Sequence, residues 1–294
     1  MSEKNNTGKL FFILAMLIFS TVGVVRRFVP LPSGLISAVR GILGSLTLLL
    51  IVLLWKKKIS TENLAKRLPW LILTGAFIGI NWILLFESYN YTSVAVATLC
   101  YYLAPSFVIL ASPFVLGEKL TKTKILSLVL SLVGMVLVSG VVESAFSLSG
   151  DNFVGVVLAT GAAIFYATVI LCNKKISGVD SNTLTIVELF SAGLVILPYA
   201  LFAETFTLND LSPLSIVLLL VLGIVHTGIA YSLYFGSLPV LSATTVAVLG
   251  YIDPIVAILL SAILLKEPMT PLTVVGAILI LGATFLADMK KHKE

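Results

Sequence analysis

The sequence predicts an all-α membrane protein of ten transmembrane helices, built as two inverted five-helix repeats with both termini cytoplasmic. Three observations predict this fold. The 294 residues are 59% hydrophobic and only 11% charged, with a mean hydropathy of +1.10, whereas a soluble domain is about a quarter charged. Apolar runs of about 20 residues recur along the chain. The second half of the sequence also repeats the first half.

Each apolar run is long enough to cross a hydrocarbon layer of about 30 Å as a helix, and none alternates as a barrel strand does. We predict spans 1 to 10 at residues 10–29, 33–55, 69–90, 93–116, 122–142, 153–173, 183–203, 213–236, 242–265 and 271–288. Arg26 and Arg27 end the first run without a small-residue cleavage site, so we expect a retained helix. Cys100 and Cys172 both fall in apolar runs, where no disulfide is expected.

Basic residues set the predicted orientation. With a cytoplasmic N-terminus, the outer segments hold only Arg26, Arg27 and Lys266 among the basic residues. The inner segments hold Lys4, Lys9, Lys56, Lys57, Lys58, Lys66, Arg67, Lys119, Lys122, Lys124, Lys174, Lys175, Lys290, Lys291 and Lys293. This asymmetry follows the positive-inside rule and requires an even number of spans. It also explains the net charge of +5 without a nucleic-acid partner.

The internal repeat appears when the chain is shifted by 149 residues against itself. The shift matches Gly79 with Gly228, Phe86 with Phe235, Ser88 with Ser237, Ser93 with Ser242, Tyr102 with Tyr251, Pro105 with Pro254, Glu118 with Glu267, and Thr121 with Thr270. Each half holds five spans, an odd number, so the second half must enter the membrane from the opposite side. We place the repeats at residues 1–146 and 147–294, with the boundary in the linker 143–151.

Inverted repeats are typical of secondary transporters, because two similar halves of opposite orientation can exchange inward-open and outward-open shapes around a midplane site. A duplicated membrane scaffold without transport activity is the alternative. The corresponding segments Leu116-Gly-Glu-Lys-Leu-Thr121 and Leu265-Lys-Glu-Pro-Met-Thr270 resemble the paired motif of EamA-type carriers of the drug/metabolite transporter superfamily. The resemblance covers nearly the whole chain.

That resemblance implies export of amino acids or related metabolites through a central cavity lined mainly by spans 1, 3, 4, 6, 8 and 9. It further implies a multi-pass protein of a bacterial or archaeal plasma membrane. It does not identify the solute, because the superfamily also carries sugars, nucleotide derivatives, amines and drugs.

Pro105 and Pro254 lie about twelve residues into spans of about twenty-four, and therefore close to the bilayer midplane. A proline inside a helix removes one amide donor and leaves the carbonyl four residues earlier without its usual partner. Broken helices at corresponding positions of two repeats indicate a transporter binding site. We therefore expect kinks at both prolines, although a proline can equally serve packing alone. Tyr101, Tyr102 and Tyr251 flank these kinks and are candidate substrate-binding residues.

Three ionisable residues interrupt the predicted spans: Arg40, Glu188 and Asp253. Charges within a membrane are costly and usually face a cavity or a partner. Arg40 and Asp253 differ in depth by about one helical turn, so they would form a buried ion pair if spans 2 and 9 are neighbours. Alternatively, Asp253, whose repeat partner is the uncharged Ala104, binds a substrate amine or a proton. Glu188 lies near the cytoplasmic end of span 7, where we expect chiefly a structural role.

Further candidates lie on the spans that the resemblance assigns to the cavity. They are Asn81 and Trp82 on span 3, Tyr166 on span 6, and His226 and Tyr231 on span 8. A few polar groups among aromatic rings suit a small-molecule pocket, although packing uses the same groups. His226 is also a candidate proton relay, with a structural hydrogen-bonding role as the alternative.

The sequence holds none of the motifs of the enzyme classes that we considered. It has no H-E-x-x-H zinc pair, no P-loop and no G-x-S-x-G nucleophile elbow. We therefore expect no enzyme activity, no cofactor and no metal site. The expected partners are the lipid bilayer and a small-molecule substrate, with a proton as a further candidate.

Overall fold

The structure is a computed structural model that describes residues 2–56, 59, 64–139, 142, 150–207 and 210–291. Most of the predicted linker at 143–151 lies outside these residues. Fourteen α-helices are formed in the described part of the chain. In chain order they are α1 (Ser2–Ser20), α2 (Val22–Arg27), α3 (Ser33–Leu54), α4 (Leu64–Tyr91), α5 (Val94–Tyr101), α6 (Ala104–Leu116), α7 (Lys122–Val138), α8 (Asp151–Asn173), α9 (Ser181–Phe202), α10 (Pro213–Leu220), α11 (Ala230–Ser237), α12 (Ala243–Gly250), α13 (Ile252–Leu264) and α14 (Pro271–Lys291).

Seven helical segments of the described residues have at least 18 residues and are apolar enough to cross a membrane. They are Asn6–Arg27, Ser33–Leu54, Leu64–Tyr91, Val94–Leu116, Asp151–Asn173, Ser181–Phe202 and Pro213–Val240. The expectation of an all-α membrane protein is therefore confirmed. Predicted spans 5, 9 and 10 correspond to shorter stretches, namely α7 with 17 residues and the apolar helices Val248–Leu264 and Pro271–Leu286. The count of ten and the side of the termini stay predictions.

Hydroxyl side chains begin corresponding helices of the two halves in the same way. Oγ of Ser93 accepts the backbone N–H of Val96 at the start of α5. Oγ of Ser242 accepts the backbone N–H of Thr245 at the start of α12. Such N-caps satisfy amide groups that have no partner in the first turn of a helix.

Small residues bring the long helices into close contact. A Cβ atom built on Gly41 of α3 would lie 2.7 Å from the backbone nitrogen of Gly193 on α9. A Cβ atom on Gly134 of α7 would lie 2.8 Å from the carbonyl oxygen of Gly276 on α14. Backbone therefore meets backbone at both contacts, as small residues allow between membrane helices.

The fourth and ninth predicted spans are each discontinuous next to their proline. One breaks at Tyr102 and Leu103, between α5 and α6, where the Leu103 amide bonds the carbonyl of Cys100, three residues earlier. The other breaks at Tyr251, between α12 and α13, where the Tyr251 amide bonds Val248 in the same way. Pro105 is the second residue of α6 and Pro254 the third of α13, positions where a missing amide hydrogen costs little.

The eighth predicted span has a different irregularity, the π-helix Val221–Ile229 between α10 and α11. The hydroxyl of Thr227 donates to the carbonyl of Leu222, five residues earlier, at 2.9 Å. Nδ1 of His226 lies 3.1 Å from the carbonyl oxygen of Val221, also five residues earlier. π-Helical turns are rare and often occur at functional sites. This one places Thr227 against Arg40 of α3.

Candidate functional site

A cavity of about 710 Å³ lies between the helices, within the usual size range of small-molecule sites. Residues of α1, α2, α3, α4, α8, α9, α11 and α14 line it, together with both discontinuous helices. Ile176 and Val179, in the connection from α8 to α9, line one end of the cavity. Among the described residues, no connection at the opposite end contributes to the lining. The cavity thus extends from the helix breaks toward the α8–α9 connection, which the positive-inside rule predicts to be cytoplasmic.

The two helix breaks are joined across this cavity by one hydrogen bond. The hydroxyl of Tyr102 donates to Oδ2 of Asp253 at 2.7 Å. Tyr102 lies in the break between α5 and α6, and Asp253 is the second residue of α13. Both residues line the cavity, so the carboxylate is fixed in orientation at the cavity wall. Charge-assisted hydrogen bonds of this kind are among the stronger ones in proteins.

Arg40 does not pair with Asp253. Its Nε donates to the hydroxyl of Thr227 at 2.7 Å, and its guanidinium carbon lies 4.4 Å from the ring centre of Trp82 and 5.4 Å from that of Phe86. The predicted pair required spans 2 and 9 to be neighbours, whereas α3 packs mainly on α9, the π-helix and α4. Among the described residues, Arg40 forms no ion pair, and it borders the cavity with a side chain only 5% exposed. Cation–π contact with two rings offsets part of its desolvation.

Aromatic residues form much of the cavity wall. The rings of Tyr101 and Tyr166 stack with centroids 5.5 Å apart. Tyr231 stacks on Phe235 at 5.9 Å and meets Phe19 edge-on at 5.4 Å. All five residues line the cavity. Stacked and edge-to-face rings present both π-faces and hydroxyl groups to a bound solute.

Asn81 connects neighbouring parts of the cavity wall beside these rings by hydrogen bonds. Its Nδ2 donates to the carbonyl of Ala162 on α8 at 2.6 Å, and its Oδ1 lies 3.4 Å from the hydroxyl of Tyr101. Asn81 and Trp82, the candidates on predicted span 3, both line the cavity, and both are nearly fully buried. Asn81 therefore serves to position α8 and Tyr101 as well as to line the cavity.

Glu188 lines the cavity nearer the α8–α9 connection. Nδ2 of Asn173, the last residue of α8, donates to Oε2 of Glu188 at 3.2 Å. Oε1 of Glu188 and Oδ1 of Asn173 are buried without a hydrogen-bond partner in the part of the chain that the structure describes. Buried oxygen atoms without a partner are rare in proteins, so this pair is open to a donor or a cation.

The structure separates other predicted residues from the site. His226 is absent from the cavity lining, because Nε2 lies 2.8 Å from the hydroxyl of Thr21 while Nδ1 faces Val221. Pro254 is buried outside the lining, whereas Pro105 contributes to it. Tyr251 does line the cavity, and its ring meets Phe285 edge-on at 5.8 Å.

Sequence reasoning missed several lining residues, among them Phe19, Tyr89, Asn173 and Tyr234. Asn173 directly precedes Lys174 and Lys175 and looks like the polar end of a span. Tyr89 lies near a predicted membrane surface, where tyrosine is common for other reasons. A helical-face count on span 8 would have placed Tyr234 beside Tyr231, since residues three apart share a face.

The end of the cavity region opposite the α8–α9 connection is tied together by Glu267. Its Oε1 lies 3.1 Å from Arg27, and its Oε2 accepts the backbone N–H of Val94 at 2.8 Å and the hydroxyl of Ser261. Arg27 also donates to the carbonyl of Thr92 at 3.2 Å. These contacts join α2, the start of α5 and the end of α13, and so hold the two halves together at that end.

Cys100 is buried and Cys172 is partly buried, and both are free cysteines. No group of three or more His, Cys, Asp or Glu side chains that suits a metal ion occurs among the described residues. The site therefore combines the Arg40 guanidinium, the Asp253 carboxyl group and a ring of aromatic side chains around a small-molecule-sized space, with Glu188 nearer the α8–α9 connection. Such an arrangement suits a solute that carries charge and apolar surface together.

Comparison with known proteins identifies the family. The sequence profile of the EamA-like transporter family matches residues 6–140 and again residues 153–287. The chain belongs to the EamA-like transporter family. The EamA resemblance found in the paired motifs is thereby confirmed, and the double match shows the family unit twice in the chain.

One of the relatives of this chain is itself named a transporter. The chain is 31% identical over 263 residues to the "Uncharacterized transporter YxxF" of Bacillus subtilis strain 168, which covers 89% of this chain and 83% of the relative. It is 29% identical over 236 residues to "Protein PecM" of Dickeya dadantii strain 3937, covering 76% and 77% of the two chains. A crystal structure at 18% identity, with a TM-score of 0.65 and 98% of both chains covered, has the same fold. The protein is thus a multi-pass membrane protein of a transporter family.

Proposed function

We propose that this EamA protein is a secondary transporter that exports small metabolites, in particular amino acids, by alternating access. The main support for this proposal is the cavity, which presents one guanidinium and one fixed carboxylate that do not pair with each other. A zwitterion needs one group of each sign. Arg40 would bind the carboxylate of an amino acid, Asp253 its ammonium group, and the aromatic wall its side chain.

The packing of the two halves supports alternating access. Helices at corresponding places in the two halves lie against each other, α3 on α9 and α7 on α14. The hydrogen bond from Tyr102 to Asp253 also links the break of one half to the break of the other. This is the arrangement expected of ten spans in two inverted repeats that rock around a midplane site, with both termini cytoplasmic.

The reach of the cavity lining to one inter-helix connection supports export. The lining reaches the α8–α9 connection, which the distribution of Lys and Arg assigns to the cytoplasm. An exporter loads its substrate from that side. The opposite end is held by Glu267, Arg27 and the N-terminus of α5, so this conformation is the loading form in our proposal.

The experiment is counterflow in proteoliposomes with matched solutes. Each radiolabelled amino acid, such as leucine or phenylalanine, is compared with its decarboxylated amine and its deaminated acid. We expect saturable exchange of amino acids and weak exchange of both analogues, because each analogue lacks one of the two charged groups. Equal exchange of the amines would replace the amino-acid assignment by an amine transporter. No exchange of any solute in the panel would contradict the proposal.

A further inference from the structure

Glu188 and Asn173 form a carboxyl–carboxamide pair beside the cavity whose hydrogen bonding is half complete. One bond is made, from Nδ2 of Asn173 to Oε2 of Glu188 at 3.2 Å. The second oxygen of each group, Oε1 of Glu188 and Oδ1 of Asn173, is buried and has no hydrogen-bond partner among the described residues. The hydroxyl of Thr74 on α4 lies close to the Glu188 carboxyl group, but it donates to the carbonyls of Trp70 and Leu71. Both unsatisfied atoms are acceptors, so each of them lacks a hydrogen-bond donor.

The negative charge of Glu188 also lacks a compensating cation. The side chain is 3% exposed and lies seven residues beyond Ser181, the first residue of α9, about 10 Å along that helix. The ion pairs formed by the described residues join Arg27 with Glu267, and Lys124 and Lys174 with Glu118. None includes Glu188. A buried carboxylate without a paired cation is strongly disfavoured.

The neighbouring helices do not supply that cation. On α3, Arg40 is engaged by Thr227 and Trp82. On α4, Arg67 donates to Ser177 and Lys66 is exposed, while Glu87 lies at the far end. On α9 itself, Asp180 caps the N-terminus and Tyr199 is exposed near the other end. Among the described residues, Tyr166, Cys172 and Tyr231 also interact electrostatically with Glu188, and none of them is a cation.

We propose that Glu188 and Asn173 form a proton-binding site that couples transport to the proton gradient. A proton from the cavity water binds Oε1 of Glu188 and neutralises the carboxylate, and the new O–H donates to Oδ1 of Asn173. One proton then satisfies both unpaired oxygens and closes a ring of two hydrogen bonds. Only that O–H bond forms, and no bond of the protein breaks. Release of the proton requires water at Glu188, so proton exchange depends on which side the cavity is open.

Proton binding can be tested without any substrate. Infrared spectra of the purified protein, recorded in H₂O and D₂O at neutral pH, reveal the carbonyl stretch of a protonated carboxyl group. We expect this band in the native protein, its loss in Glu188→Gln, and its retention in Asp210→Asn, which removes one exposed carboxyl group. Asp253→Asn tests the other carboxyl group of the cavity. The proposal is overturned if the native band disappears in Asp253→Asn and remains in Glu188→Gln.

A second variant covers the case in which Glu188→Gln does not fold. Asn173→Ala keeps the carboxyl group but removes both of its partners in the ring. We expect the protonated-carboxyl band to move to higher frequency, because its C=O and O–H groups are no longer hydrogen-bonded. A band at the same position in Asn173→Ala would contradict the pairing with Asn173.

The coupling rests on the proposed transport function, and its test separates the two. Amino-acid accumulation driven by an imposed pH gradient is measured beside counterflow at equal pH. We expect Glu188→Gln to abolish the gradient-driven accumulation and to retain counterflow. If Glu188→Gln keeps both the gradient-driven accumulation and the counterflow, the coupling is overturned. If a sodium gradient drives accumulation and a pH gradient does not, the coupled ion is sodium and the proton proposal is overturned. Absence of counterflow in the native protein would contradict the transport proposal, while the infrared result would stand independently.

Discussion

The hydroxyl of Tyr102 donates a 2.7 Å hydrogen bond to Oδ2 of Asp253, and this bond connects the breaks of the two discontinuous helices. Because the bond fixes the carboxylate for a substrate ammonium group, we expect Tyr102→Phe to weaken amino-acid binding by about tenfold or more. A hydrogen bond to a charged group contributes about 1.5–3 kcal/mol. Equilibrium binding of a radiolabelled amino acid measures the effect. Tyr199→Phe, which removes an exposed hydroxyl on α9, is the matched control, and an unchanged affinity in Tyr102→Phe would exclude this role.

Substitution of Arg40 tests whether this residue recognises the carboxylate of the substrate. We expect Arg40→Gln to reduce the preference for an amino acid over its decarboxylated amine by about tenfold, since a charge-assisted pair is lost. Arg40→Lys should restore that preference only in part, because lysine lacks the planar group that stacks on Trp82. Ligand-induced thermal stabilisation with both solutes provides the measurement. Arg67→Gln, at the end of α4, should behave as the native protein. A preserved preference in Arg40→Gln would remove Arg40 from the site.

Substitution of Glu267 tests whether its contacts close the end of the cavity region opposite the α8–α9 connection. Glu267→Gln weakens the contacts with Arg27 and with the backbone of Val94, and we expect that end to open more often. A single cysteine at Val22, which lines the cavity, reports access in a background without Cys100 and Cys172. A membrane-impermeant thiol reagent applied from the Arg27 side should label it several-fold faster in Glu267→Gln. Equal labelling rates would show that these contacts do not control access.

The contact between α3 and α9 predicts a strong effect on stability. Gly41→Val would force side-chain atoms into the backbone of Gly193, which lies 2.7 Å from an ideal Cβ position. Overpacking of this kind costs about 1–3 kcal/mol, so the midpoint of thermal unfolding should fall by several degrees. Gly282→Val is the matched control, because a Cβ atom there meets nothing within 4 Å. Equal midpoints in the two variants would contradict the close contact.

The stability of the turn at Asp210, outside the predicted spans, is expected to depend on pH. The backbone N–H and the hydroxyl of Thr207 both donate to Oδ2 of Asp210, and these bonds hold the pKa of the carboxyl group below its usual range. The carboxylate form is therefore the form that supports the turn. Its contribution is complete at neutral pH and is lost as the pH falls through the lowered pKa. NMR titration of Asp210 should give a midpoint that rises in Thr207→Ala. An unchanged midpoint would contradict the hydrogen bonds.

Much of the fold follows from hydropathy and from the internal repeat. The paired prolines located both helix breaks, because a proline cannot continue the hydrogen bonding of a helix interior. They did not reveal that Tyr102 would bond Asp253, since their sequence separation says nothing about which helices become neighbours. The same limit explains why the expected pair of Arg40 and Asp253 is wrong. Their similar depth in the membrane allowed the pair, but α3 packs on α9, the π-helix and α4, and Arg40 bonds Thr227.

The proton site was harder to foresee for a related reason. Glu188 and Asn173 lie near the ends of their helices, where a polar side chain usually faces water. The burial of Glu188 depends on the close packing of α4 and α9, where a Cβ on Gly75 would lie 2.6 Å from the carbonyl oxygen of Glu188. A hydropathy profile averages over helix faces and cannot detect such a contact. The π-helix is likewise invisible to a pattern that assumes 3.6 residues per turn.

A blocker or antibody fragment applied from the Arg27 side would meet the ion pair to Glu267 and the capped start of α5, not the cavity. Compounds that trap this conformation must instead arrive from the side of the α8–α9 connection. If that side is the cytoplasm, intact cells would hide such compounds from a screen that inside-out vesicles would reveal. Membrane permeability would then limit inhibitor discovery for this protein before affinity does.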